Sequence, residues 1–96
     1  MRLSLKQQIL IRETVAAETD GTVRVYVYGS RLQDAARGGD LDLLIESKTK
    51  LSLLQRARIK LSLEKHLGIP VDIISTALTS PRTPFQEIAY MRGVLL

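Results

Sequence analysis

Two runs with the alternation of β-strands, Val23–Tyr28 and Leu41–Ile45, bracket a polar segment that opens with Gly29-Ser30 and closes with Gly38-Gly39-Asp40. This arrangement constrains the chain more than any other feature. Residues i and i+2 of a strand face the same way, so Asp40 and Asp42, at the head of a second strand expected from about Asp40 to Glu46, present their carboxylates side by side, about 6–7 Å apart at Cα. Carboxylate oxygens about 5 Å apart repel by about 3 kcal/mol at an effective dielectric of about 20, so a fold that holds them together supplies positive charge between them. A divalent cation is a natural source of that charge. The second run also fits helical spacing through Leu41, Leu44 and Ile45, in which case Asp40 is only an N-cap. The preceding glycines, the shortness of the run and a fresh helix start at Ser52 favour the strand. In the first run, Val23, Val25 and Val27 share one face.

The remaining punctuation is clear. Ser4 with Gln7 makes a capping box for a helix to about Glu18, and Asp20-Gly21 turns the chain. Ser52 with Gln55 caps a second helix, with Leu54, Ala57 and Leu61 as its apolar stripe, ending at Gly68 before Pro70. Val71–Ile74 reads as a short third strand. Thr83, Pro84 and Gln86 start a last helix reaching about Arg92. Ile59 and Leu63, off the stripe, and the tail Val94-Leu95-Leu96 are expected either at an interface or in ordinary core.

Asp72 stands out because Val71 and Ile73 flank it, and a carboxylate in an apolar strand costs several kcal/mol unless it is paired, hydrated or metal-bound. One reading is a strand-end acid satisfied by an arginine such as Arg24. The other sets this strand beside the Asp40-Asp42 strand, so that three carboxylates converge and can hold two Mg²⁺ ions about 3.5–4 Å apart. Gly29 then lets phosphates approach the backbone, the following amides and the Ser30 hydroxyl donate to them, and Arg31 and Arg37 are candidates for further phosphate contacts.

Composition excludes several alternatives. At 96 residues the chain is expected to be one domain, residues 1–96. A chain of this size buries about 60–65% of its unfolded surface, which leaves little room for a deep private cavity. There is no cysteine, hence no disulfide, thiolate zinc site or cysteine nucleophile. No apolar stretch is long enough to span a bilayer and Met1–Lys6 lacks a signal-peptide core, so a cytoplasmic location and no membrane partner are expected. The formal charge is +4. Lys48, Lys50, Arg56, Arg58, Lys60 and Lys65 gather against the single acid Glu64, as a solvated helix face or as an attractor for phosphates or an acidic partner. The scattered aromatics argue against a base-stacking platform and so against direct nucleic-acid binding. His66 reads as a helix-end residue, and Tyr26 and Tyr28 as sheet residues.

Taken in order, Tyr28-Gly29-Ser30-Arg31, Arg37-Gly38-Gly39-Asp40-Leu41-Asp42-Leu43-Leu44-Ile45 and Val71-Asp72-Ile73-Ile74 resemble the minimal nucleotidyltransferases (MNT) of the DNA polymerase beta superfamily. The resemblance runs over nearly the whole chain. It implies an α/β (α+β) nucleotidyltransferase fold, with a mixed β-sheet and helices packed on one side, and transfer of AMP from Mg²⁺-ATP with release of pyrophosphate. By position, Asp40, Asp42 and Asp72 match the metal-binding catalytic acids, and Gly29 and Ser30 the phosphate-binding turn. Gly39 replaces the usual serine before the Asp-x-Asp, the intervening loop is about one residue shorter than is common, and Asp34 stands where glycine is frequent. The resemblance further suggests a HEPN-domain protein as partner, with this chain as the antitoxin that adenylylates a tyrosine on it. Homo- or hetero-oligomers fit the missing acceptor domain. A module that neutralises a partner by binding alone, and a transferase acting on small molecules, remain open.

Overall fold

The computed structural model describes residues 3–32 and 39–96, together with the side chains of all of these except Ser30 and Leu32. Arg37, Gly38, Asp34 and the Ser30 hydroxyl therefore lie outside the described residues. Three helices, α1 (Leu5–Glu18), α2 (Leu53–Leu67) and α3 (Pro84–Arg92), alternate with β1 (Arg24–Tyr28), β2 (Leu41–Ser47), β3 (Val71–Ala77) and the short β4 (Val94–Leu95). A 3-10 turn, Gly29–Leu32, leaves the end of β1.

Each helix starts where its capping box places it. The Ser4 and Ser52 hydroxyls accept from the backbone N–H groups of Gln7 and Gln55 at 3.1 and 3.0 Å, and each glutamine side chain accepts in return from its serine N–H at 2.9 Å. Thr83 and Gln86 repeat the exchange at α3, with Pro84 inside the first turn. Helix α2 ends at Gly68, whose φ of 70° closes the helix in the left-handed region that favours glycine.

The strands form one mixed sheet in the order β3-β2-β1-β4. Strand β1 pairs antiparallel with β2 and with β4, whereas β2 and β3 run parallel, joined through α2. The run after Asp40 is thus a strand, central to the sheet, and its helical alternative is excluded. Strand β3 extends three residues past Ile74 because Ser75, Thr76 and Ala77 continue the pairing with Ile45, Glu46 and Ser47. The tail divides: Val94 and Leu95 add an exposed edge strand to β1, whereas Leu96 packs, partly buried, against the core.

Alternation splits the sheet into two faces. Val25, Val27, Leu41, Leu43, Ile45 and Val71 point to one side and meet Ile11 and Val15 of α1 and Ile59 and Leu63 of α2. The two longer helices therefore share that side, and Val23 packs against the same cluster. The shorter α3 approaches the opposite face, where Tyr90 meets Tyr26 edge-on with ring centroids 5.2 Å apart.

The apolar stripe of α2 differs from the one expected. Ile59 and Leu63 are fully buried, whereas Leu54 and Leu61 are 58% and 65% exposed. Apolar residues lie on both sides of this helix, so its periodicity offers two stripes. The choice falls to the crossover that lays α2 between β2 and β3, which selects Ile59, Leu63 and the partly buried Leu67. Ile59 and Leu63 are core and offer nothing to a partner.

Candidate active site

The register across the open face builds the site. Asp42 on β2 is paired with Asp72 on β3 and, on its other side, with Tyr28 on β1, so the three side chains form one row across the sheet. Asp40 stands exposed immediately before β2. Burial raises the Asp42 carboxyl above its ordinary range, and the charges of Asp72 and then Asp40 raise it further. The three acids of the sequence pattern thus share one electrostatic neighbourhood, and no cation side chain is paired with Asp42 among the described residues.

Gly29 lies directly under this carboxylate. Its φ is 78°, and a Cβ there would collide with Asp42 Oδ2. Glycine is required twice over, by the backbone conformation and by the approach of the acid. Beside it, Tyr28, Gly29, Phe85, Ile88, Ala89 and Arg92 line a cavity of about 290 Å³. Burial, followed by the charges of Asp42 and Asp72, pushes the Tyr28 phenol up to about 12. Tyr28 therefore keeps its proton at neutral pH and, packed edge-on against Phe85, acts as a wall of the site.

Arg31 does not project freely: its Nη2 donates to the Gly39 carbonyl at 3.3 Å, tying the two ends of the polar segment together. Arg24, the partner first considered for Asp72, reaches Glu46 instead, at 4.0 Å. The cation near Asp72 is Lys60 on α2, whose Nζ lies 3.8 Å from Asp72 Oδ1 and also from Glu64 Oε2, and donates to the Val71 carbonyl at 2.8 Å. Val71 N–H donates to Glu64 Oε2 at 2.9 Å, so Lys60 and Glu64 together cover the start of this free sheet edge. His66 sits at the end of α2, its Nδ1 2.8 Å from the Ser62 carbonyl, in keeping with a helix-end role.

Among the described residues, no three Asp, Glu, His or Cys side chains come together in a group that could hold a metal ion, so the register joins Asp42 to Asp72 without drawing Asp40 into one ligand cluster with them. The donor set nevertheless suits Mg²⁺, which is commonly bound by one or two carboxylates with substrate phosphates and waters completing its octahedron. Clustered like charges, a raised carboxyl and the space left by Gly29 fit such an open site.

The family model for polymerase beta nucleotidyltransferases matches residues 7–96. The chain belongs to this family. A solved structure assigned to the minimal nucleotidyltransferases is 33% identical, superposes with a TM-score of 0.65, and is matched over 98% of this chain and 97% of its own. No curated protein matches significantly. These comparisons make the chain a nucleotidyltransferase-family domain of the minimal type, and the four-stranded mixed sheet with three helices is the corresponding fold.

Sequence reasoning missed one polar cluster on the same face of the sheet. Glu46 is 5% exposed and is held by a short ion pair to Arg82, whose guanidinium lies 3.7 Å from the centroid of the Tyr90 ring. The available signal was the phase of Glu46: it lies four residues after Asp42 on β2, hence on the same face, and needs a cation there. Among the described residues, no helix is long and apolar enough to cross a membrane.

Proposed function

We propose that this nucleotidyltransferase moves AMP from Mg²⁺-ATP to a hydroxyl of an acceptor protein, a tyrosine of a HEPN-domain partner, and so acts as its antitoxin. The observation that carries the reading is the Asp42–Asp72 register with Gly29 beneath the Asp42 carboxylate. Asp40, Asp42 and Asp72 would hold the cations, and bound Mg²⁺ would supply charge neutralisation at the α-phosphate and the departing pyrophosphate. The chain itself contributes position. The backbone after Gly29 would meet the phosphates, aided by Ser30, by Arg37 and by the guanidinium nitrogens of Arg31 that Gly39 does not occupy. Asp72, 59% exposed at its side chain, would draw the acceptor hydroxyl forward and take its proton. The acceptor oxygen bonds to the α-phosphorus, the bond from that phosphorus to the bridging oxygen breaks, and pyrophosphate leaves. Cytoplasmic location follows from that substrate and partner.

The test is intact mass spectrometry of a HEPN-domain protein from the same cell, incubated with the chain and Mg²⁺-ATP. The expected result is a mass gain of one or more AMP units, lost in Asp72→Asn while binding of a non-hydrolysable ATP analogue persists. The variant should melt within a few degrees of the wild type, because the exposed Lys60 pair contributes about 0–1 kcal/mol. An unmodified partner that is still bound and silenced would replace transfer by neutralisation through binding. Rapid modification of an aminoglycoside would point to a small-molecule enzyme.

A further inference from the structure

The row of acids has two different flanks. On the β1 side lie Gly29 and the cavity walled by Tyr28 and Phe85. On the β3 side, at the free edge of the sheet, Leu53, Arg56, Ala57, Lys60, Asp72 and Ile73 line a second cavity of about 260 Å³. In-line displacement at phosphorus puts the attacking oxygen and the leaving group at opposite ends of the reacting axis. If the pyrophosphate leaves over Gly29, the acceptor must arrive from the flank on which the second cavity opens.

The chemistry of that cavity narrows what arrives. Lys60 is already shared among the Val71 carbonyl, Glu64 and Asp72. Arg56 is different. Its Nε is buried without a hydrogen-bond partner, and among the described residues its guanidinium forms no salt bridge. The residue as a whole is only half-buried, so the remaining donors of this unpaired guanidinium can reach an anionic ligand group in the cavity. The other walls are aliphatic: Leu53 is 74% exposed, and Ala57 and Ile73 complete the surface. No aromatic ring lines the cavity, so it has no stacking platform for an unpaired base. By strand alternation Ile73 turns its peptide groups to the same free edge as Val71, where an extended peptide can pair.

We infer that the Arg56 cavity is the acceptor-docking site, and that it receives an extended peptide segment of the acceptor protein carrying a carboxylate close to the reacting hydroxyl. This rests on the transferase reading above and adds the direction of approach and the charge of the acceptor. Arg56 binds the carboxylate, Leu53 and Ile73 cover aliphatic side chains, and Asp72 lines the same cavity.

The test uses the full chain with a non-hydrolysable ATP analogue, Mg²⁺ and two fluorescent ten-residue peptides, each with a central tyrosine, one flanked by glutamates and the other by lysines. By fluorescence anisotropy the acidic peptide should bind at least about tenfold more tightly. Arg56→Glu should abolish that preference and Arg56→Gln should weaken it, with circular dichroism confirming that at least one variant is folded. Affinity for the ATP analogue, measured separately, should stay within about twofold in both variants. Equal binding of the two peptides, or a preference unchanged in the folded variant, overturns the inference. Tighter binding of a ten-nucleotide RNA, sensitive to Arg56, overturns it in favour of a nucleic-acid acceptor. Loss of ATP-analogue binding in the wild type is a separate outcome and tells against the transferase reading itself.

Discussion

Gly29→Ala should destabilise the fold and disarm the site together, because the same missing Cβ serves both. At φ 78° an alanine carries the cost of the left-handed region, about 1–2 kcal/mol. Its methyl would also meet Asp42 Oδ2, and turning that side chain off its rotamer adds about 0.5–1.5 kcal/mol. The sum, about 1.5–3.5 kcal/mol, corresponds for a domain of this size to a fall in Tm centred on about 10–20 °C. The assay is thermal unfolding followed by circular dichroism on wild type, Gly29→Ala, Asp42→Ala and the double variant. In the Asp42→Ala background the steric part disappears and only the backbone part remains, so the double-mutant cycle should return a coupling of about 0.5–1.5 kcal/mol. Pyrophosphate release should fall in Gly29→Ala by more than its folded fraction explains, since the displaced carboxylate no longer lies in the row with Asp72. A Tm loss below about 4 °C, or a cycle with no coupling, would refute the argument that Asp42 rests on this glycine.

Three further outcomes follow from the same geometry. Asp42→Asn should lose transfer and gain stability at pH 7: burial and then the charges of Asp72 and Asp40 raise the folded carboxyl, so its contribution is intact below its unfolded value of about 3.9 and declines as pH rises through the folded value. The variant's advantage in urea midpoint should therefore shrink on going from pH 7 to pH 3, and an advantage independent of pH would contradict the assignment. Arg82→Ala should cost about 3 kcal/mol in urea unfolding, as expected for stripping a partner from a buried charge, and Glu46→Gln should cost less because Arg82 keeps Glu87 at 3.6 Å and the face of Tyr90. Leu63→Ala should cost about 2–5 kcal/mol while Leu61→Ala stays within about 0.5 kcal/mol, and the reverse order would mean that α2 is rotated from its described position.

What the sequence made legible was local. Three capping boxes, the Gly68 stop and the Asp20-Gly21 turn each depend on residues within a few positions of one another, and each stands where the spacing put it. The acid pattern was legible for a related reason: strand alternation fixes which side Asp42 faces before any neighbour is known. The β2–β3 register that sets Asp72 directly beside it is non-local, and so are the features that escaped. Which of two apolar stripes α2 buries depends on the sheet it crosses. The partner of Asp72 depends on a lysine that α2 brings to the sheet edge, and the burial of Glu46 on an arginine 36 positions away. Strand β4 has only two residues, too few for a period to show.

The division between the two faces accounts for how so short a chain can hold three acids near one another. Stability resides on the side where α1 and α2 close over Val25, Val27, Leu43 and Ile45, all at 5% exposure or less. The opposite side has the thinner cover of α3, and there the polar demands are met in two ways along β2. Four residues beyond Asp42, Glu46 is buried and held by Arg82, with Arg24 at 4.0 Å. At Asp42 itself, among the described residues, no such cation is supplied, and the carboxyl is raised by its neighbours. Two acids on one face of one strand, one neutralised internally and one not, are best explained if the second is left for a charge that arrives from outside. That contrast within β2 supports the proposed site over a structural ion pair, at the end of the sheet where Gly29 gives way.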